Sequence, residues 1–200
     1  MLQSCQKQIV RGSTALQVNG FVRLIGFKEL LVQEPMKPIV KELTSEEELI
    51  ECVRLLRKAF GTVAKDFNLT EQSAPTNAAF TTLENLYRHI HDGLKFYGMI
   101  YKDSLIGCIA VKKAKRDGRI YYIERLAVDP EYRHKGHGNE LLQYALERIR
   151  ERGGTTASIG LIDNNYILKK WYITKGFAQN DCRRVANLPF KVCYMSKNII

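Results

Sequence analysis

The run Ile123-Glu124-Arg125-Leu126-Ala127-Val128-Asp129-Pro130-Glu131-Tyr132-Arg133-His134-Lys135-Gly136-His137-Gly138-Asn139 passes from a β-rich segment through a turn into a basic loop with two glycines. A long amphipathic helix follows, with Leu141, Leu142, Ala145, Leu146 and Ile149 on one face between Gly138 and Arg152, and Gly153-Gly154 ending it. Strand, glycine loop and helix together make an anion-binding arrangement. Glycine lets the backbone approach a phosphate, and the unpaired N–H groups and dipole of the helix N-terminus point at it. The spacing is not the GxxxxGKS/T of nucleotide triphosphatases, and no GxGxxG precedes it. Taken alone, RxxGxG also describes a basic turn capped by glycine.

Working outward, Ile39 to Leu43 reads as a short strand. Thr44-Ser45 with Glu47 and Glu48 three residues on offers two overlapping capping boxes. The helix they open carries Leu49, Cys52, Val53, Leu56 and Phe60 at helical spacing and is expected to end near Phe60. Residues 61–79 read as a long polar loop, and 80–91 as a second helix stopped by Asp92-Gly93. Strands over 96–101 and 105–111 make a hairpin at Lys102-Asp103-Ser104, and Asp117-Gly118 turns the chain into a third strand, 119–128. Beyond the 138–152 helix come a buried strand (155–162), a helix stopped by Gly176 (165–175) and closing strands at 177–186 and 191–198.

Two hundred residues suffice for one α/β domain plus a short appendage, and the 45% hydrophobic and 26% charged composition excludes collagen-like, coiled-coil and wholly disordered chains. No stretch approaches the roughly 18 uninterrupted apolar residues of a membrane span, which argues against a channel or carrier. The net charge of +10 attracts anions, whether nucleic acid, a phosphate-rich cofactor or an acidic substrate. The first 35 residues carry only +2 of that charge, with Lys7, Arg11, Arg23 and Lys28 preceding any acidic residue. They are expected to be an N-terminal appendage and the least ordered part, with the domain proper spanning 36–200. Cys5, Cys52, Cys108, Cys182 and Cys193 are odd in number with no pair closer than eleven residues, so neither a zinc knuckle nor a CxxC pair can be written. Each reads as a small buried hydrophobe; a reducing, cytoplasmic setting and no metal are expected.

One helix and one strand after the glycine loop, Asn165 precedes Trp171-Tyr172-Ile173-Thr174-Lys175-Gly176-Phe177. Together with the 123–139 run, this resembles the GNAT superfamily of acyl-CoA-dependent N-acyltransferases, motif by motif over 120–177 and in element order over 36–200. The resemblance implies an α/β fold with a central mixed, twisted sheet of about seven strands flanked by helices. Acetyl-CoA would lie where the parallel strands 119–128 and 155–162 splay apart. Leu126, Ala127 and Val128 would meet the pantetheine arm, and the loop Arg133, His134, Lys135, Gly136, His137 and Gly138, with Asn139 opening the helix, would hold the pyrophosphate. Asn165 matches the asparagine that contacts the cofactor arm, and Tyr172 the tyrosine that hydrogen-bonds or protonates the CoA thiolate.

Transfer of an acetyl group to an amine needs a neutral amine, a donor to the carbonyl oxygen and a proton for the departing thiolate. A lysine-like amine, pKa about 10.4, is mostly protonated at neutral pH, so a base or desolvation must release its lone pair. Glu124 resembles the family's frequent strand carboxylate, and Tyr122 shares its strand face at a position where other members carry an acid; a water relay is a third route. Each has a plainer reading: Glu124 as an ion-pair partner, Tyr172 as a core aromatic beside Trp171, and Asn165 as a helix N-terminal residue. His89 and His91 point apart on a helix and do not make a metal site. Lys112, Lys113, Lys115, Arg116 and Arg119 read as a solvated hairpin, or as a contact for an acidic partner or nucleic acid.

The implied activity is an acetyl-CoA-dependent N-acetyltransferase acting on a small-molecule or peptide amine by direct transfer in a ternary complex, as monomer or homodimer, without membrane or nucleic-acid partners. The alternative is a non-catalytic, CoA-sensing or RNA-contacting module on the same fold, although the aromatic stacking motifs of RNA-binding sheets are absent.

Overall fold

A computed structural model describes residues 37–200 except 187, and the backbone of three strands before them. Those strands, β1 (Gln8–Val10), β2 (Ser13–Val18) and β3 (Phe21–Gly26), form an antiparallel sheet of their own, and compact units divide between Lys37 and Pro38. The expectation of least order in 1–35 falls largely on residues outside those described.

The second unit runs β4 (Ile39–Glu42), α1 (Glu46–Asp66), α2 (Leu83–His91), β5 (Leu94–Tyr101), β6 (Ser104–Lys113), β7 (Ile120–Val128), α3 (His137–Glu151), β8 (Thr156–Ile162), α4 (Tyr166–Thr174), β9 (Ala178–Arg184) and β10 (Lys191–Asn198). Its seven strands make one mixed sheet in the order β4-β5-β6-β7-β8-β10-β9, in which only β7 and β8 run parallel. The period of two in β6 sorts side chains to opposite faces. Ile109 and Val111 pack with Leu141, Leu142, Leu146 and Ile149 of α3 and Tyr172 of α4, while Cys108 and Ala110 pack with Leu49, Cys52, Leu56 and Ala59 of α1 and Leu86 of α2. The expected α/β fold, a mixed sheet of seven strands flanked by helices, is therefore the one observed.

Several element ends differ from the sequence expectation. Helix α1 opens on Ser45, whose hydroxyl accepts from Glu48 N–H while Glu48 accepts from Ser45 N–H, so one of the two overlapping boxes is realised. It then continues to Asp66 through residues read as loop, because Ala64 is buried and Thr62 turns its hydroxyl back onto Ala59 O at 2.8 Å. Helix α2 starts three residues late, since Asn77 caps a 3-10 turn over Ala78–Phe80 and Thr82 then caps the helix proper. A third cluster, Ala64, Leu69, Ala74 and Ala79 with Phe60, Ile162, Leu188 and Phe190, joins the end of α1 and the 67–80 loop to the end of β8 and the β9–β10 turn.

Candidate active site

Between β7 and β8 the parallel pairing holds only from Ile120–Thr156 to Tyr122–Ser158, yet the strands continue to Val128 and Ile162. The sheet thus contains a cleft whose apex lies at Tyr122 and Ser158. Just past the apex β7 is bulged. Its register against β6 shifts between Ala110–Glu124 and Cys108–Ala127, and Arg125 takes a left-handed φ of 56°. The extra residue places Glu124 and Ala127, three apart, on the same face as Ala110 and Cys108. Tyr122, opposite Lys112, shares that face with Glu124. Leu126 and Val128 are half-buried against the α3 side of the core.

Arg125 is a functional-region residue that the sequence reading passed over. Its guanidinium meets His89 Nε2 of α2 at 3.1 Å, and Cys108 Sγ approaches Arg125 O at 3.6 Å. A guanidinium can only donate, so Nε2 accepts and the His89 proton belongs on Nδ1. Burial, and then the Arg125 charge, lower the His89 pKa, which keeps the ring neutral. The pair fastens α2 to the bulge beside Glu124. No sequence signal links positions 36 residues apart.

The loop after β7 is held from α1. Lys58 bridges Asp129 at 2.9 Å and Glu131 at 2.7 Å. Arg133 donates to Val128 O at 3.2 Å, Thr62 Oγ1 at 3.1 Å and Ala59 O at 2.9 Å. Three of its five N–H donors thereby tie it to α1 and the end of β7. Further on, His134 (φ 62°) and Gly136 (φ 91°) are both left-handed, and Gly136 caps α3 with no side-chain partner. Among the described residues, no protein acceptor takes the backbone N–H groups of His134 through Gly138. Successive N–H groups in such a turn at a helix N-terminus form an anion cradle. His137 opens α3 with a buried Nδ1 that lacks a hydrogen bond, 3.6 Å from Glu140 Oε2. A Cβ on Gly138 would stand 3.8 Å from Val128 Cγ2 and 4.0 Å from Trp171 Cζ2, ordinary contact distances, so internal packing does not require glycine there. Asn139 occupies the first turn of α3. These donors fit a phosphate-bearing molecule such as CoA.

Tyr172 is buried on α4, edge-to-face with Trp171 at 4.8 Å and with Phe177 at 5.3 Å between ring centroids. Burial pushes its phenol well above the ordinary tyrosine range. Asn165 is the N-cap of α4: its Oδ1 accepts from Leu168 N–H at 3.1 Å, which leaves the Nδ2 amide as the donor free to meet a ligand.

The chain matches the acetyltransferase (GNAT) family over residues 62–177, more than half its length. It belongs to that family. The GNAT chain is thereby an acyltransferase, and solved structures share its fold. The PaiA N-acetyltransferase of Thermoplasma acidophilum, in complex with coenzyme A, is 21% identical, with 82% of this chain and 99% of that one covered and a TM-score of 0.67. The ribosomal-protein-S18-alanine N-acetyltransferase of Escherichia coli is 15% identical over 82% and 94% (TM-score 0.64), and an aminoglycoside 6'-acetyltransferase type Ii is 18% identical over 81% and 97% (TM-score 0.61). Among curated proteins none matches. No described helix of this GNAT member is long and apolar enough to cross a membrane.

The fold also brings together cysteines that sequence spacing kept apart. Cys182 and Cys193 face each other across β9 and β10, and with Asp163 they place three potential ligand atoms within 4.8 Å. Lys169 holds Asp163 in an ion pair, and the Cys182 thiol is pushed up to about 12, first by its hydrogen bond with Cys193 and then by burial.

Proposed function

We propose that this protein is an N-acetyltransferase that moves the acetyl group of acetyl-CoA to a primary amine by direct transfer in a ternary complex. The observation that carries this reading is the continuity of three features: the N–H cradle at 134–138, the cleft that opens past Tyr122 and Ser158, and Glu124 at the bulge beside its apex. When bound, acetyl-CoA supplies the activated acyl group.

The residues of the chain then divide the work. Backbone N–H groups of His134, Lys135, Gly136, His137 and Gly138 hold the pyrophosphate, at the start of the helix that Asn139 continues. Arg133 fixes the loop through three of its five N–H donors, which leaves two to meet the anion. Leu126, Ala127 and Val128 offer backbone groups on the unpaired side of β7, and Asn165 donates from Nδ2. Glu124, or a water it holds, takes a proton from the bound ammonium, and the neutral amine then attacks the thioester carbonyl. Tyr172 supplies a hydrogen bond and then a proton to the leaving sulfur. A phenol raised by burial stays protonated throughout the neutral range but gives up its proton uphill to a thiolate of pKa about 8.5. Transfer concerted with C–S cleavage suits it better than transfer beforehand.

Incubation with acetyl-CoA and a panel of amines, amino acids and peptides, reading both thiol release and acetylated product, tests the activity. CoA binding without product from any amine would favour the non-catalytic alternative. Gly138→Val tests the cradle: a β-carbon there meets only ordinary contacts within the fold, so melting is expected to shift little while CoA affinity falls at least about tenfold, as loss of charge-assisted hydrogen bonds implies. Unchanged affinity in the folded variant would remove the cofactor assignment.

A further inference from the structure

A groove of about 450 Å³ lies on the face of the sheet that carries Glu124, lined by Glu124, Tyr122, Lys112, Lys113, Lys115 and Arg116. Its size suits a small molecule. Its lining is bipolar. Glu124 lies at the bulge just past the apex of the β7–β8 cleft, while the four cations belong to the end of β6 and the turn leading into β7. Among the described residues none of these cations has an ion-pair partner. Asp117, within the same turn, is paired with Arg119. The basic run noted in the sequence is therefore one wall of the cavity that contains the candidate proton acceptor.

We infer that the acceptor is zwitterionic: a primary amine with a carboxylate or phosphate a short chain away, the ammonium meeting Glu124 and the anion meeting the lysine–arginine wall. This rests on the transferase reading above and names its substrate class. Ile123 alone separates Glu124 from Tyr122, which faces Lys112, so the carboxylate and the start of the basic wall occupy neighbouring positions on one face of the sheet. The same charges disfavour a diamine, whose second ammonium would meet four cations.

The test compares acceptors of one chain length: pentylamine, 5-aminopentanoate, 4-aminobutylphosphonate and 1,5-diaminopentane, each assayed with acetyl-CoA against the full-length protein and its K112Q/K115Q/R116Q variant. The anionic acceptors should exceed pentylamine in kcat/KM by about 10- to 100-fold, the scale of hydrogen bonds to charged groups, and the variant should bring that ratio near one while keeping its melting temperature. The carboxylate and phosphonate arms show which anion the wall prefers. Equal use of neutral and anionic amines, or preference for the diamine, overturns the inference. Should no amine be acetylated, the transferase reading fails separately, and calorimetric titration of 4-aminobutylphosphonate into the CoA-loaded protein still decides the groove. Binding lost in the triple variant supports it, and no binding by the wild type ends it.

Discussion

Tyr172 and Arg133 occupy two very different settings in the structure. Tyr172 is wedged between Trp171 and Phe177, so phenylalanine preserves its packing and removes only the hydroxyl. General-acid help is worth about 100- to 10,000-fold. Tyr172→Phe is expected to lower kcat within that range, with acetyl-CoA affinity nearly unchanged, in single-turnover assays where chemistry limits the rate. A kcat within a factor of about two of wild type would assign the ring to packing alone. Arg133 carries three hydrogen bonds to α1 and β7. Arg133→Ala leaves Ala59 O and Val128 O without that donor and is expected to destabilise the fold by about 1–3 kcal/mol in denaturant unfolding. An unchanged midpoint with weakened CoA binding would instead assign the side chain to the pyrophosphate alone. The sequence made Arg133 legible as part of an anion loop but not as a tether, because Ala59 and Thr62 are more than seventy residues away.

At the scale of elements, the two ends of α1 were read with unequal success. Its start is written locally: Ser45 and Glu48 exchange hydrogen bonds, and Lys41 pairs with Glu48 at 2.6 Å. The hydrogen bond and ion pair with Lys41, then those from the Ser45 and Thr44 N–H groups, hold Glu48 down at about 2, against an ordinary 4.5. A depressed carboxylate contributes stability that is fully present above its unfolded pKa and is lost as pH falls through the folded one. The melting difference between wild type and Glu48→Gln is therefore expected to be constant near neutrality and to vanish between about pH 4.5 and 2. A difference independent of pH would show that shape, not charge, matters at that cap. The end of α1 was missed because Gly61, Thr62 and Val63 have weak helix propensity, and what extends the helix is burial of Ala64 against the 67–80 loop. The β7 bulge was invisible for a related reason: its left-handed residue is an arginine, and glycine is the residue from which such turns are usually read. The facing of Cys182 and Cys193 depends on strand register, which the polar, largely exposed β9 does not encode in its spacing.

At the scale of the molecule, the seven-stranded sheet with helices on both faces was legible because its hairpins, caps and glycine stops are local, and because the 123–177 motifs carry a family resemblance. A chain starting at Met36 retains every strand of that sheet and the candidate site. It is expected to unfold at the same temperature as the full chain and to bind CoA equally well. A loss of more than a few degrees, on the order of 1 kcal/mol for a domain of this size, would make the first unit part of the fold's support. The short β7–β8 ladder has a mechanical meaning as well. In backbone hydrogen bonding, the sheet is two leaves, β4 to β7 and β8 to β9, stitched at one corner by the pairs from Ile120–Thr156 to Tyr122–Ser158. A force that spreads the leaves loads those few stitches in sequence, like a zipper, while the longer antiparallel ladders within each leaf stay intact. In backbone hydrogen bonds, the corner at Tyr122 and Ser158 is the shortest seam of the sheet.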